Sequence, residues 1–376
     1  ALAGNLFTFL LFYELLTLST YPLVVHRGHA KALAAGKVYL RYTVTGGLVL
    51  LLGVVALHAL VGDVAFGQRE RLADLGADAY PMLTVLFLIL LVGLGVKAAL
   101  VPLHGWLPRA MVAPAPVSAL LHAVAVVKAG AFGIVRLVYD VYGISLVHEL
   151  GLLMLLSAIA SVTILFGSIR ALSQQELKPR LAYSTISQVS YIVLGISLFG
   201  PFGTIAGLVH LMHQGLMKVT LFYCAGNYAE ELGIHRIDEL DGAGRRMPLT
   251  SLAFTVGALG MIGLPPVAGF ISKWYLGIGA VQADMSWAIA VLAASSLLNA
   301  AYFLPIVHRL WFRQGPAHGR GRWPEERHLG RFETSTWLLL PTAATALFSI
   351  LVGLLAGVSF SPLDLATFMA TEEYLP

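Results

Sequence analysis

The sequence predicts an all-α protein that crosses a membrane many times. Three observations carry that prediction. Of 376 residues, 58% are apolar and only 12% are charged, about half the ~25% charged share of a soluble domain. The apolar residues come in runs long enough to span, since a ~30 Å hydrocarbon core takes about 20 helical residues. Lys and Arg are confined almost wholly to alternate connections between those runs. Mean hydropathy is +0.80. A disordered chain, a disulfide scaffold and an ordinary soluble enzyme are thereby excluded. Cys224 is the single cysteine, which rules out a disulfide framework and any multi-cysteine metal or iron–sulfur site within this chain. A transmembrane barrel is excluded because its strands alternate polar and apolar residues, and these runs do not.

Ten candidate spans are read, at 4–25, 40–61, 80–103, 115–139, 149–169, 181–199, 204–226, 248–281, 286–311 and 335–358. The first starts almost at Ala1 and lacks the basic region and cleavage site of a signal peptide. With no initiator Met, the chain is expected to be a piece of a longer protein. The second is plain hydrocarbon. The third carries Lys97 and runs into Pro102. The fourth holds His122 and Lys128. The fifth carries no lysine or arginine. The sixth clusters Ser184, Thr185, Ser187, Gln188 and Ser190. The seventh holds His210, His213, Gln214 and Lys218. The eighth is interrupted by Pro265 and Pro266 and carries Lys273. The last two are hydrophobic runs without a charge at mid-span.

Even alternation puts the connections 26–41, 104–114, 170–180, 227–247 and 309–332 on one side. They hold 17 Lys and Arg, among them Arg27, Lys31, Lys37, Arg41, Arg245, Arg246, Arg320 and Arg322. The other side holds Arg69 and Arg71 alone, with ten acids such as Asp63, Asp74, Asp284 and Glu373. The positive-inside rule then places the basic side in the cytoplasm and both termini of this chain outside, in a multi-pass cytoplasmic membrane protein. The loop 309–332 is read as solvated.

Seven charges remain within spans. Arg136 and Glu333 lie near span ends and are expected to snorkel. Glu14, Lys97, Lys128, Lys218 and Lys273 sit deep, where a charge costs at least ~2.5–3.5 kcal/mol. Static salt bridges cannot account for four lysines and one carboxylate. At least three cations must meet water or lose a proton. A lysine in water titrates near ~10.4, and apolar burial lowers that towards neutrality. Such a lysine carries protons, and Glu14 beside Lys97 would tune its hold. His210, Gln214 and Lys218 recur at i, i+4 and i+8, forming one polar stripe. With His122 and His213 they favour a hydrated axis over isolated packing residues.

Two segments look alike, GLGVKAALVPLHGWLP around Lys97 and GMIGLPPVAGFISKWY around Lys273. Pro102, Pro108, Pro265 and Pro266 each remove a backbone donor and interrupt a regular helix. Broken helices at corresponding places in two halves are the mark of inverted-repeat transporters. Five helix positions separate the two lysines, and an odd repeat inverts topology.

At these residues the sequence resembles the proton-conducting antiporter-like subunits. These are the D subunit of Mrp sodium/proton antiporters, the large membrane-arm subunits of respiratory complex I, and their relatives in membrane-bound hydrogenases. The stretches that carry the resemblance are NLFTFLLFYELLTLSTYPLV, KAALVPLHGWLPRAMVAPAPVSALLHAVAVVKAGAFG, KPRLAYSTISQVSYI, HLMHQGLMKVTLFYCAG, DELDGAGRRMP and GLPPVAGFISKWY. They follow family order to about residue 280. The resemblance implies a fold of about fourteen helices with two inverted five-helix repeats. This chain would supply helices five to fourteen: 1–139 from the first repeat, 149–311 as the second, and 312–376 as loop, last helix and tail. It implies that Glu14 is the helix-five carboxylate paired with Lys97, that Lys128 is the central lysine, and that Lys273 is the helix-twelve residue. His210 and Lys218 match the family's HxxxHxxxK. Gln214 departs at its middle position, with His213 one place earlier and turned ~100° away.

The resemblance further implies proton transfer through Glu14, Lys97, Lys128, His210, Lys218 and Lys273, with His122, His213, Gln214 and Ser187 as accessory groups. The role of the Mrp D subunit is favoured over that of a redox-driven proton pump. Partners would be other membrane subunits, the bilayer and H+, with Na+ where the complex exchanges it. No cofactor, metal, nucleic acid or chemistry in this chain itself is expected. The reading from another class is a redox subunit binding haem or quinone, with haem held by paired histidines from His104, His122, His210 and His213. No matched spacing on two helices supports it. Neither GxxxxGK[ST] nor a full GxGxxG is present.

Overall fold

The computed structural model describes residues 2–63, 65–68, 70–315, 323–327 and 332–374. Ala1, Arg69, Arg320, Arg322 and the side chain of Glu373 lie outside the described residues. Every regular element described is a helix, and the extended pairings are two isolated bridges, Asn5–Ala65 and Glu176–Arg236. The main helices are α1 (Leu6–Val24), α2 (Ala30–Val61), α3 (Tyr80–Ala98), α4 (Ala115–Val141), α5 (Leu152–Leu172), α6 (Leu177–Ser197), α7 (Pro201–Leu232), α8 (Pro248–Ile262), α9 (Ala268–Gln282), α10 (Trp287–Phe312) and α11 (Thr336–Leu354). Seven helical stretches among the described residues are long and apolar enough to cross a membrane. The chain is an all-α polytopic membrane protein.

The helices most laden with polar residues, α6 and α7, fall outside those seven. Burial gives the reason. From residue 181 to 198 every α6 side chain except Tyr183 is buried, because α6 runs between α5 and α7. A helix that meets protein on all sides has no need of a lipid-facing hydrocarbon surface. Around the rim, Leu11, Leu52, Val85, Leu252, Leu297 and Leu347 stand exposed, the inverse of a soluble protein's surface.

Glycines set the tightest crossings. A Cβ on Gly195 would lie 2.6 Å from Gly207 N, and one on Gly279 would lie 2.6 Å from Gly203 N. Small residues let backbones touch where hydrocarbon supplies no hydrophobic drive. These contacts clamp α6, α7 and α9 together, and those three helices carry Gln188, His210 and Lys273.

Connections distant in sequence meet at the ends of the helices. At one place Phe66 N donates to Gly4 O at 2.8 Å, Gly67 N donates to Asp140 O at 3.4 Å, and Tyr374 stacks on Tyr139 at 4.6 Å. At another, Arg27, Lys31, Lys178, Glu230 and Arg236 border one cleft of about 440 Å³.

Two expectations change. Lys31, Lys37 and Arg41 are not in a connection: they stand exposed along the first turns of α2. The stretch AKALAAGK is alanine-rich, and alanine extends a helix best. Glu333 does not snorkel. It is 6% exposed and accepts from Leu249 N at 2.7 Å, Thr250 N at 2.6 Å and Thr250 Oγ1 at 2.6 Å. Its carboxylate caps the free N–H groups that begin α8, where the helix dipole favours negative charge. Arg136 forms an ion pair with Asp140 at 2.9 Å, one turn along α4.

Candidate functional site

Lys97 sits in the last turn of α3, with Ala99 in the left-handed region at φ 57° ending the helix. Its ammonium meets Glu14 Oε1 at 3.4 Å, donates to the Tyr13 carbonyl and lies 3.4 Å from the Tyr13 ring centroid. Lys97 is 1% exposed, whereas the Glu14 side chain keeps 31%. The pair predicted from sequence is therefore made, one partner sealed and the other open to the outer face of α1.

Gly47 on α2 makes room for the carboxylate. A Cβ there would lie 2.5 Å from Glu14 Oε1 and 2.6 Å from its Cδ. Gly47→Val is expected to push Glu14 away from Lys97 while leaving α2 helical. A structure of Gly47→Val should show the 3.4 Å Glu14–Lys97 contact opened, with Gly47→Ala less affected, and an unchanged contact would contradict the role given to Gly47.

The Lys97 end of α3 abuts the helix that carries Lys128. A Cβ on Gly130 would fall 2.1 Å from Ala98 N and 2.6 Å from Lys97 C. Upstream on α4 the backbone widens into a π turn, Leu120–Val124, which presents His122 beside Phe222 at 4.9 Å. Such turns interrupt α-helices most often at functional sites.

His210, fully buried on α7, is held from two sides: Nδ1 with Ser272 Oγ at 2.8 Å and Nε2 with Gln188 O at 3.1 Å. Lys218, two turns on, donates to Leu181 O at 3.2 Å and to Ser184 Oγ. Both ends of the predicted stripe thus face α6. His213, off that stripe, faces the Ala268 backbone without hydrogen-bond geometry to it. Lys128, His213 and Lys273 lie within electrostatic reach of His210, and Lys218 and Lys178 within reach of His122.

Lys273 explains the break between α8 and α9. In an α-helix the carbonyl of residue i accepts from N–H of i+4. Continued past Ile262, the carbonyls of Met261 and Ile262 would need donors at 265 and 266, and both are proline. The Lys273 ammonium supplies them, at 3.0 Å to Met261 O and 2.8 Å to Ile262 O, with Ser296 Oγ at 2.9 Å. Gly263, at φ +95°, turns the chain there, and a Cβ would lie 2.5 Å from Lys273 Cδ.

On α4 and α7 several buried polar atoms make no hydrogen bond to the described residues: Lys128 Nζ, both ring nitrogens of His122 and of His213, and both amide atoms of Gln214. Each such atom costs about 1–3 kcal/mol if left so. Ordered water is the usual remedy where several polar partners converge.

Ser187 is placed elsewhere. Its hydroxyl meets Ser168 Oγ at 2.9 Å, towards α5 and α10, whereas His210 meets α6 at the Gln188 carbonyl and at the Tyr191 ring, 5.4 Å away. Sequence reasoning missed Gly47, Tyr13, Ser272 and Ser296. Ser272 had a signal, being next to Lys273, and Tyr13 is next to Glu14. Gly47 and Ser296 meet their partners across helices and left none.

Fold and site define a polytopic helical membrane protein with titratable side chains through its interior. Residues 3–299 match the family described as NADH:quinone oxidoreductase/Mrp antiporter, TM. The chain belongs to that family. It is 37% identical over 362 residues to NADH-quinone oxidoreductase subunit N of Desulforudis audaxviator (strain MP104C), covering 93% of this chain and 70% of the relative. It is 29% identical to the probable K(+)/H(+) antiporter A/B subunit of Rhizobium meliloti (strain 1021), covering 100% of this chain but 37% of the relative. Among solved structures it resembles a component of the Mrp complex from Dietzia sp. DQ12-45-1b, with a TM-score of 0.85 and 26% identity over 98% of this chain and 74% of that one.

Proposed function

We propose that this protein moves protons across the membrane along its buried lysines and histidines, as one subunit of a larger membrane complex. The observation that carries this is the set of buried basic groups on α4 and α7 whose donors and acceptors lack partners among the described residues, with anchored lysines on α3 and α9. Protons reach these groups at Glu14 and Lys97, cross by Lys128 and the His210 region, and leave at Lys273. The Glu14–Lys97 separation sets how firmly Lys97 keeps its proton, and so gates the transfer. The broken segments at Lys97 and Lys273 serve as matching halves of an inverted repeat, within 1–139 and 149–311. The basic connections face the cytoplasm and the termini of this chain face outward.

The parent complex is read as an Mrp-type antiporter, with this chain in the role of the D subunit. A redox-driven complex is the second reading, favoured by the 37% likeness to an NADH-quinone oxidoreductase subunit. The residues act alike in both. Haem ligation by His210 is disfavoured, since both its ring nitrogens are engaged by Ser272 and Gln188.

The test is proton movement by the assembled complex in sealed vesicles, followed with a lumenal pH dye. A lumenal pH change that a protonophore collapses is expected. Turnover or cation exchange with no pH change would contradict the proposal.

A further inference from the structure

One face of α10 carries Ser295, Asn299 and Tyr302 at i, i+4 and i+7. All three are fully buried, while Leu297 and Leu304 on other faces are exposed. Asn299 Nδ2 donates to Ser295 O at 2.9 Å, and the Tyr302 hydroxyl donates to Asn299 Oδ1. Ser184 of α6, which accepts from Lys218 and donates to Leu181 O at 2.9 Å, faces the Tyr302 hydroxyl without hydrogen-bond geometry to it. Tyr191, about two turns further along α6, packs its ring on His210 at 5.4 Å, is within electrostatic reach of Tyr302, and faces Ser295 and Ser296 without hydrogen-bond geometry to either. Ser296 accepts from Lys273 at 2.9 Å. From Ser296 to Tyr302 is six residues, about 9 Å along the helix at ~1.5 Å each.

We propose that Ser184, Tyr302, Tyr191 and Ser296 form a hydroxyl column that passes protons between Lys218 and Lys273 without using His210. The inference rests on the proton function proposed above. Every member but the lysines is a hydroxyl, which accepts a proton on oxygen as it gives up its own. A proton leaving Lys218 Nζ enters at Ser184 Oγ, and a different proton arrives on neutral Lys273 Nζ. No electrons move. Asn299 does not relay; it orients the Tyr302 hydroxyl. Water bridges the step between the two phenols, as contacts beyond hydrogen-bond length commonly require.

The basic end of the column is closed. Buried Arg180 donates to Tyr302 O at 3.1 Å, Leu172 O at 3.3 Å and Gln174 O at 2.6 Å. A guanidinium stays charged, and it repels a proton approaching Tyr302 from that face. The column is therefore an internal link, parallel to the His210 route, and not an opening to solvent.

Parallel routes have a signature that a structural role lacks. In the assembled complex, His210→Ala should lower proton flux about tenfold and leave a measurable remainder. Tyr302→Phe alone should lower flux about two- to threefold, a fraction of the ~1.4 kcal/mol that a tenfold change represents. Both together should bring flux to background, and Asn299→Leu in place of Tyr302→Phe should act in the same direction. The column is overturned if His210→Ala alone removes all flux. It is equally overturned if Tyr302→Phe reduces flux by the same factor with or without His210, or leaves the residual flux untouched. Lys97→Ala is the separate control: wild-type flux there sinks the proton function itself, whereas loss of flux there with no effect of Tyr302→Phe sinks only the column.

Discussion

Lys97→Ala is expected to abolish proton flux while the complex still assembles. The ammonium joins α3 to both the Glu14 carboxylate and the Tyr13 carbonyl, and alanine offers no proton to pass on. A positioned proton donor is worth about 10²–10⁴-fold in rate, so flux should fall at least ~10²-fold. Assembly should survive because α3 is held by its packing along α2 and α4. Glu14→Gln should be milder, since Lys97 retains the Tyr13 contacts. Quantifying assembled complex on the same preparations separates the two effects.

Lys273 supports a sharper prediction because its ammonium has two tasks. It fills the two carbonyls that Pro265 and Pro266 leave without donors, and it ends the proton row. Lys273→Met should lose flux and also destabilise, since the Ile262 carbonyl is stripped of its donor at a cost of about 1–3 kcal/mol, while Met261 O keeps Gln188 Nε2 at 3.5 Å. Lys273→Arg separates the tasks. Guanidinium donors can still reach Met261 and Ile262, so the thermal midpoint should return towards wild type. Flux should stay absent, because arginine does not release its proton in proteins. Flux restored by arginine would show that Lys273 acts only as a fixed charge.

How much of this is legible in the sequence depends on how far each partner lies along the chain. The membrane class, the polar stripe on α7 and the Glu14–Lys97 pairing are readable, through composition, helical spacing and resemblance. The break near Lys273 is visible as two prolines. That Lys273 heals that break is not, because the lysine must fold back across the turn from the next helix. Glu333 escapes sequence reading for a similar reason: its partners at Leu249 and Thr250 lie more than eighty residues away. Lys31 and Lys37 look like connection residues when charge is weighed above alanine's helix preference. Ser187 looks like one of a set with its α6 neighbours, yet its hydroxyl turns to Ser168 of α5, and the α6 hydrogen-bond partner of His210 is the backbone carbonyl of Gln188, which no side-chain pattern reveals.

Lys128 separates proton transfer from folding most cleanly. It is 8% exposed and its ammonium makes no hydrogen bond to the described residues, so the packing around it does not depend on the charge. Lys128→Leu in the assembled complex should leave the thermal midpoint unchanged or raised, since a buried cation is exchanged for hydrocarbon. Proton flux into sealed vesicles should nonetheless fall to background. A Lys128→Leu complex that folds as well as wild type and still moves protons at the wild-type rate would contradict transfer along the buried row.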